Sequence, residues 1–135
     1  MNTYFKHRKL ILDNIHLKKG SSILDLGCGD ATMLRLFVKR FSCAKAVGYD
    51  LNGRAIRLGR FLNRFHGLLN ITLMQDNLRK ANLKGFDYIY LFLYPEFVAD
   101  LEDRIFREVD TGTIIICNTF SFVKHTPYEI IHNKK

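Results

Sequence analysis

The chain has 135 residues, 47% apolar and 25% charged, with 21 Lys+Arg against 13 Asp+Glu for a formal charge of +8. That is room for one domain with its own core, too little for a multidomain machine, and a composition that argues against disorder. The longest apolar run, Tyr88 to Pro95, is about eight residues, well short of the roughly 20 that a membrane-crossing helix needs.

Taken in chain order, the opening stretch predicts a helix over Thr3–His16, within an N-terminal segment 1–20, that buries Tyr4, Ile11 and Ile15. Its apolar part, Leu10 to Leu12, is cut short by Asp13 and makes no signal-peptide core, so a cytoplasmic protein is expected. Five strands follow: Ser22–Leu26, Lys45–Asp50, Ile71–Gln75, Asp87–Leu93 and Thr113–Asn118. All are short and rich in Ile, Leu, Val or Tyr, as strands covered on both faces should be. Between the first two, Leu34, Phe37, Val38 and Phe41 recur at helical spacing. Over Asn52–His66, Leu58, Phe61, Leu62 and Phe65 share one face and Arg57, Arg60 and Arg64 another, so the apolar side is expected to be core and the arginine side solvated. A further helix begins near Pro95 and turns Phe97, Val98, Leu101 and Ile105 inward. Strands alternating with helices predict a single α/β domain, 1–135, built on a parallel sheet. The three cysteines, Cys28, Cys43 and Cys117, form no CxxC pair and have no histidine at ligand spacing, so neither a disulfide framework nor a metal site is expected.

The segment Ser22-Ile-Leu-Asp-Leu-Gly-Cys-Gly-Asp-Ala31 runs an apolar strand through Gly27-Cys28-Gly29 directly into a helix. Glycines there let the backbone turn sharply and let a ligand approach without meeting a Cβ. This is nucleotide-site layout, although a lone GxG also describes an ordinary strand-to-helix turn. A GxxxxGK(S/T) phosphate loop is absent, and the dinucleotide pattern GxGxxG fails at Thr32, so a pyrophosphate cofactor fits poorly. The second strand ends at Asp50, 21 residues after Gly29, where a carboxylate in a doubly wound sheet accepts hydrogen bonds from both ribose hydroxyls. The third ends in Gln75-Asp76-Asn77, at the same edge, positioned to accept from an adenine amino group. An Asp after a strand is commonly a helix cap or turn former. Acidic residues in register after three successive strands, with GxG after the first, point instead to an adenosyl cofactor.

DLGCGDA, VGYDLN and QDN resemble the cofactor-binding motifs of class I S-adenosylmethionine-dependent methyltransferases. The resemblance implies a Rossmann-like α/β sheet in the order 3-2-1-4-5 with helices on both faces, and S-adenosyl-L-methionine as cofactor. It implies Gly27 and Gly29 packing on that cofactor, Asp25 helping to hold its methionine amino group, Asp50 on the ribose and Asp76 near the adenine, with Cys28, Asp30, Leu51 and Asn77 beside them in the motifs. Further on, Leu91-Phe-Leu-Tyr94-Pro95-Glu96, Leu101-Glu-Asp-Arg104, Asn118-Thr-Phe-Ser-Phe122 and His125-Thr-Pro127 extend the likeness over about residues 20–128. In this order they resemble the small protein-lysine methyltransferases whose known members act on mitochondrial inner-membrane proteins, and their prokaryotic relatives. Ala31 stands where many members carry a third glycine, Asp50 where close members often have glutamate, and Asn2-Thr3-Tyr4-Phe5 where a Tyr-Val-Pro-Ser-Ser-like opening is usual.

The resemblance implies methylation of a lysine on a protein substrate. In-line displacement requires the nucleophile held about 3 Å from the methyl carbon and water excluded, with no acid–base dyad; a lysine amine loses its proton when desolvated. The substrate pocket is expected at Tyr94, Pro95 and Glu96, where the fourth strand ends. The (D/N/S)PP(Y/F) grip on planar amines is missing, which argues against adenine-N6 and glutamine acceptors. An RNA acceptor tracked by Arg57, Arg60 and Arg64 is the alternative, against the plainer reading of a solvated face. Seventeen residues (119–135) follow the fifth strand, so the fold is expected to be C-terminally shortened, lacking all or most of the class's final hairpin, with Tyr128–His132 supplying one short strand at most. The fifth strand then lies at a sheet edge that needs cover, from a second copy in a homodimer or from the N-terminal helix. A third reading is a reduced cofactor-binding module without methyl transfer of its own.

Overall fold

The computed structural model describes residues 2–118, 120, 122–127, 129 and 130, the side chains of residues 2–7 excepted. A helix, α1 (Asn2–Asn14), precedes the strands β1 (Ser22–Leu26), β2 (Lys45–Asp50), β3 (Ile71–Gln75), β4 (Tyr88–Leu91) and β5 (Ile114–Cys117). Helix α2 (Thr32–Phe41) joins β1 to β2, α3 (Gly53–Phe65) joins β2 to β3, and α4 (Pro95–Glu108) joins β4 to β5; β3 and β4 are linked through a single 3-10 turn at Leu78–Lys80. The sheet runs β3-β2-β1-β4-β5 with every pair parallel. The winding therefore reverses between β1 and β4, and doubly wound sheets bind ligands outside the carboxyl ends of the strands at that point.

The first three strands run as their sequences predict. β4 and β5 are shorter than Asp87–Leu93 and Thr113–Asn118, because β1, the partner of β4, ends at Leu26 where Gly27 turns away. Among the described residues β5 lies at the edge of the sheet. In the expected strand Tyr128–His132, residues Tyr128, Ile131 and His132 lie outside the described residues, as does the side chain of Tyr4.

Alternation along β1 and β4 divides the core between the two faces of the sheet. On one, Ile23, Tyr88 and Tyr90 pack with Leu17 and with Leu34, Phe37 and Val38 of α2, and Ile11 and Ile15 pack against them from the N-terminal segment. The rings of Phe37 and Tyr90 meet edge to face at 5.2 Å. On the other, Leu24, Leu26, Ile89 and Leu91 pack with Leu101 and Ile105 of α4 and with Leu83 and Phe86. The inward row of α4 is Val98, Leu101, Glu102 and Ile105, while Phe97, expected inward, stands half exposed one position off that row. Buried Glu102 accepts from the backbone N–H of Val123 and Lys124 and lies 2.6 Å from His125 Nδ1, holding the segment after β5 against α4. Burial works to raise its pKa, but His125 and the two N–H groups outweigh it and hold the carboxyl below its ordinary value.

Helix α3 departs from expectation on its apolar side: Arg57, Arg60 and Arg64 are exposed as expected and Leu62 is half-buried, but the rest of the apolar side is not core. Its buried residues are Ile56, Gly59 and Asn63, and Leu58, Phe61 and Phe65 face solvent. The cause lies in what the inner side must touch. A Cβ at position 59 would stand 2.7 Å from the Asp30 carbonyl oxygen and 2.7 Å from Leu73 Cδ1, and Asn63 Oδ1 accepts from the buried Arg35 guanidinium at 3.0 Å. Beside Ile56, small and polar residues fit there, and Leu58, Phe61 and Phe65 fall on the opposite side.

Candidate active site

The site is built from the carboxyl end of β1 outward. Asp25 is hemmed in by Gly48 of β2 and Tyr90 of β4 and is 2% exposed. Its Oδ1 is buried without a hydrogen-bond partner, an arrangement that costs about 1–3 kcal/mol. Burial raises its pKa to about 8, and the charge of Asp50 pushes the same way. A buried carboxyl lacking a partner in a cleft is suited to a cationic ligand, whose charge would favour the ionised form.

Beyond Leu26 the chain folds back on β2. Gly27 and Cys28 both donate their N–H to the Tyr49 carbonyl, at 2.8 and 3.0 Å, and Gly29 N–H donates to Asp50 Oδ2 at 2.8 Å. Gly27 and Gly29 take φ of +88° and +56°, a region costly for residues with a Cβ. A Cβ on Gly29 would meet nothing within 4 Å, so the backbone there looks onto open space, whereas one on Gly27 would run into the Leu93 side chain. Ala31 also takes a left-handed φ, +67°, as the first α2 turn begins, which is the geometric reason a glycine suits that position. Asp30 Oδ1 accepts from the Thr32 N–H at 3.1 Å, and Arg35 Nη1 donates to the Asp30 carbonyl at 2.7 Å. Burial, with smaller contributions from Asp25 and Asp50, pushes the Cys28 thiol up, the direction that disfavours a thiolate.

A cleft of about 110 Å³ opens over this loop, lined by Asp25, Gly27, Cys28, Gly29 and Asp30 together with Arg8, Thr32, Met33, Tyr90 and Phe92. The other sequence-predicted residues lie around it. Asp50 spends its second oxygen on the Asn52 N–H at 2.8 Å, and Leu51 next to it is exposed. Asp76 hangs from the Asp50 carbonyl through its N–H at 3.2 Å, while its Oδ1 accepts from Asn77 N–H and the Asn77 carboxamide accepts from Arg79 N–H. Tyr94, Pro95 and Glu96 are exposed at the start of α4, just past Phe92, and do not line the cleft. A larger cavity of about 330 Å³, lined by residues such as Asp87, Asp110 and Gly112, opens by the amino ends of β4 and β5; the sheet topology places ligand chemistry at the other end. Arg8, Tyr90 and Phe92 carry no sequence signal. Tyr90 and Phe92 fall in a plain apolar run, and Arg8 reaches the cleft from α1, 17 positions before Asp25 in the chain, with no motif to mark it.

Residues 25–129 match the model of the ANTKMT methyltransferase domain family. The chain belongs to this family. It is an S-adenosylmethionine-dependent methyltransferase domain, with the sheet order of its class. The domain is 23% identical over 122 residues to a protein-lysine N-methyltransferase of Saccharolobus islandicus (strain REY15A), covering 90% of this chain and 76% of that one. It is 24% identical over 120 residues to a human lysine N-methyltransferase of ATP synthase, covering 87% of this chain and 49% of that one. In fold it matches the crystal structure of an RNA methyltransferase from Salinibacter ruber in complex with S-adenosyl-L-homocysteine, with a TM-score of 0.82, 17% identity and coverage of 96% and 82%. The methyltransferase domain thus spans about three quarters of the archaeal relative and half of the human one. Among the described residues, no helix is long and apolar enough to cross a membrane.

Proposed function

We propose that this methyltransferase acts on the Nζ of a lysine in a protein. The observation that carries the cofactor side is Asp25, a buried carboxyl with an unpartnered oxygen lining the cleft. S-adenosylmethionine would bring there both positive charge and, on its sulfonium, the methyl group to be transferred. Asp25 would hold the ammonium of its methionyl end and Arg8 the carboxylate, with Gly27, Cys28, Gly29 and Asp30 against them. Asp50 and Leu51 would flank the ribose, since each carboxylate oxygen of Asp50 can accept a second hydrogen bond, and Asp76 and Asn77 the adenine.

The acceptor side is supported by the two lysine N-methyltransferases to which the chain is similar. Tyr94, Pro95 and Glu96 would border the incoming lysine. The rings of Tyr90 and Phe92 line the cleft and would shield the incoming amine from water, and desolvation favours the neutral amine that can act as nucleophile. No general base is needed beyond the loss of that proton to solvent. As part of the same proposal, a second copy of the chain pairs along β5, whose Ile114 is exposed at the sheet edge; a monomeric mass in solution would overturn that part.

Calorimetry with S-adenosylmethionine and S-adenosylhomocysteine tests the cofactor assignment. Binding is expected, weakened at least tenfold by Asp50→Ala, which removes a charge-assisted hydrogen bond from the glycine loop. No heat at millimolar cofactor would sink it. Incubation with labelled cofactor and host lysate tests the acceptor: label should survive RNase, be lost to protease, and appear on lysine after hydrolysis.

A further inference from the structure

The exposed side of α3 is an apolar strip with a basic border. Phe61 and Phe65 are 64% and 74% exposed, Leu58 is 49% exposed, and Leu69 just beyond the helix is 87% exposed. The two phenylalanine rings stack on one another at 6.3 Å without reaching the core. At 100° per residue, Arg57 and Arg64 flank this strip along one side and Arg54 lies within it near the start of the helix. All three are exposed. Arg60 is turned away and donates to the Leu73 carbonyl. From Leu51 to Gln75 the chain carries four arginines and no Asp or Glu, a net charge of 4 − 0 = +4. The nearest carboxylates in sequence, Asp50 and Asp76, sit at the carboxyl edge of the sheet, outside that stretch.

We infer that α3 docks this protein on an anionic lipid bilayer surface, lying in the interface with Leu58, Phe61, Phe65 and Leu69 inserted and Arg54, Arg57 and Arg64 at the headgroups. An amphipathic basic helix with bulky apolar residues on one side binds in this way, through buried apolar area added to electrostatic attraction. Charge selects the occupant. A second copy meeting the same strip about a two-fold axis would set one +4 segment against another, and a phosphate backbone would be held by the arginines without drawing in two phenylalanines and two leucines.

The test uses the whole chain, which contains no tryptophan, so that Phe65→Trp provides a single tryptophan, excited apart from the tyrosines. Vesicles of phosphatidylcholine containing phosphatidylserine should sediment the protein and shift that emission to the blue, whereas pure phosphatidylcholine should do neither. The double variant Phe61→Ser/Phe65→Ser should lose the interaction, and each of Arg57→Gln and Arg64→Gln should weaken it about fivefold, with circular dichroism unchanged because these side chains pack on nothing in the core. Absence of sedimentation with anionic vesicles overturns the inference, as does sedimentation that survives the double serine variant, or a dimer in free solution that the same variant abolishes. The readout needs neither cofactor nor acceptor, so its failure is distinct from failure of the lysine-methylation proposal.

Discussion

Helices α2 and α3 follow successive strands, pack on the same face of the sheet, and both read as amphipathic. α2 buries its apolar stripe, Leu34, Phe37 and Val38, as spacing predicts. α3 buries Ile56, Gly59 and Asn63 and leaves its stripe outside. The difference lies in what each helix meets. α2 faces the apolar centre of the sheet, over β2, β1 and β4. α3 sits at the flank, over β3 and the loop before α2, where a carbonyl oxygen and a buried guanidinium are waiting. Hydrophobic periodicity finds a helix and an apolar side, but the chemistry of the docking surface decides which side goes in.

The contrast is sharpest in stability. Phe37→Ala should cost about 3–5 kcal/mol, as for other buried aromatic truncations, read as a fall in the midpoint of denaturant unfolding; a loss under about 1 kcal/mol would break the comparison. Gly59→Ala should cost about 1–3 kcal/mol, because a methyl group there meets backbone as well as Leu73, and it should also loosen cofactor binding by shifting the Asp30 carbonyl. Phe61→Ala, on the same helix as Gly59 but on its exposed side, should stay within about 0.5 kcal/mol of the parent, although periodicity alone ranks it with Phe37.

Asp25 gives a pH test of the loop that both helices hold. Its folded pKa, about 8, lies above the ordinary value of 3.8. Its contribution to stability is therefore full below pH 3.8 and lost as pH rises through 8. Without cofactor, the melting temperature of the parent should fall relative to Asp25→Asn over that window. Cofactor binding at neutral pH should release a proton, since a cation beside the carboxyl favours its ionised form; calorimetry in buffers of different ionisation enthalpy checks this, and zero proton release would refute it.

Much of the fold was legible in the chain because it is encoded by neighbours. Gly27 and Gly29 take the left-handed conformations that a sharp strand-to-helix turn demands, β1, β2 and β3 run over the residues expected, and Asp50 reaches the loop 21 residues before it. In the cleft, Asp25 and the Gly27–Asp30 loop come from the glycine motif, whereas Arg8 enters from α1 with no motif to mark it.

What the sequence determined alone was therefore the order of elements, the turn at the glycines and the family motifs, each of which is written in a short run of neighbouring residues. The orientation of α3, the Arg35–Asn63 contact across 28 residues, the entry of Arg8 and the seat of His125 against Glu102 were decided only in three dimensions. Each depends on which polar group in one element is left to be satisfied by another, and burial sets that requirement only once the elements have packed.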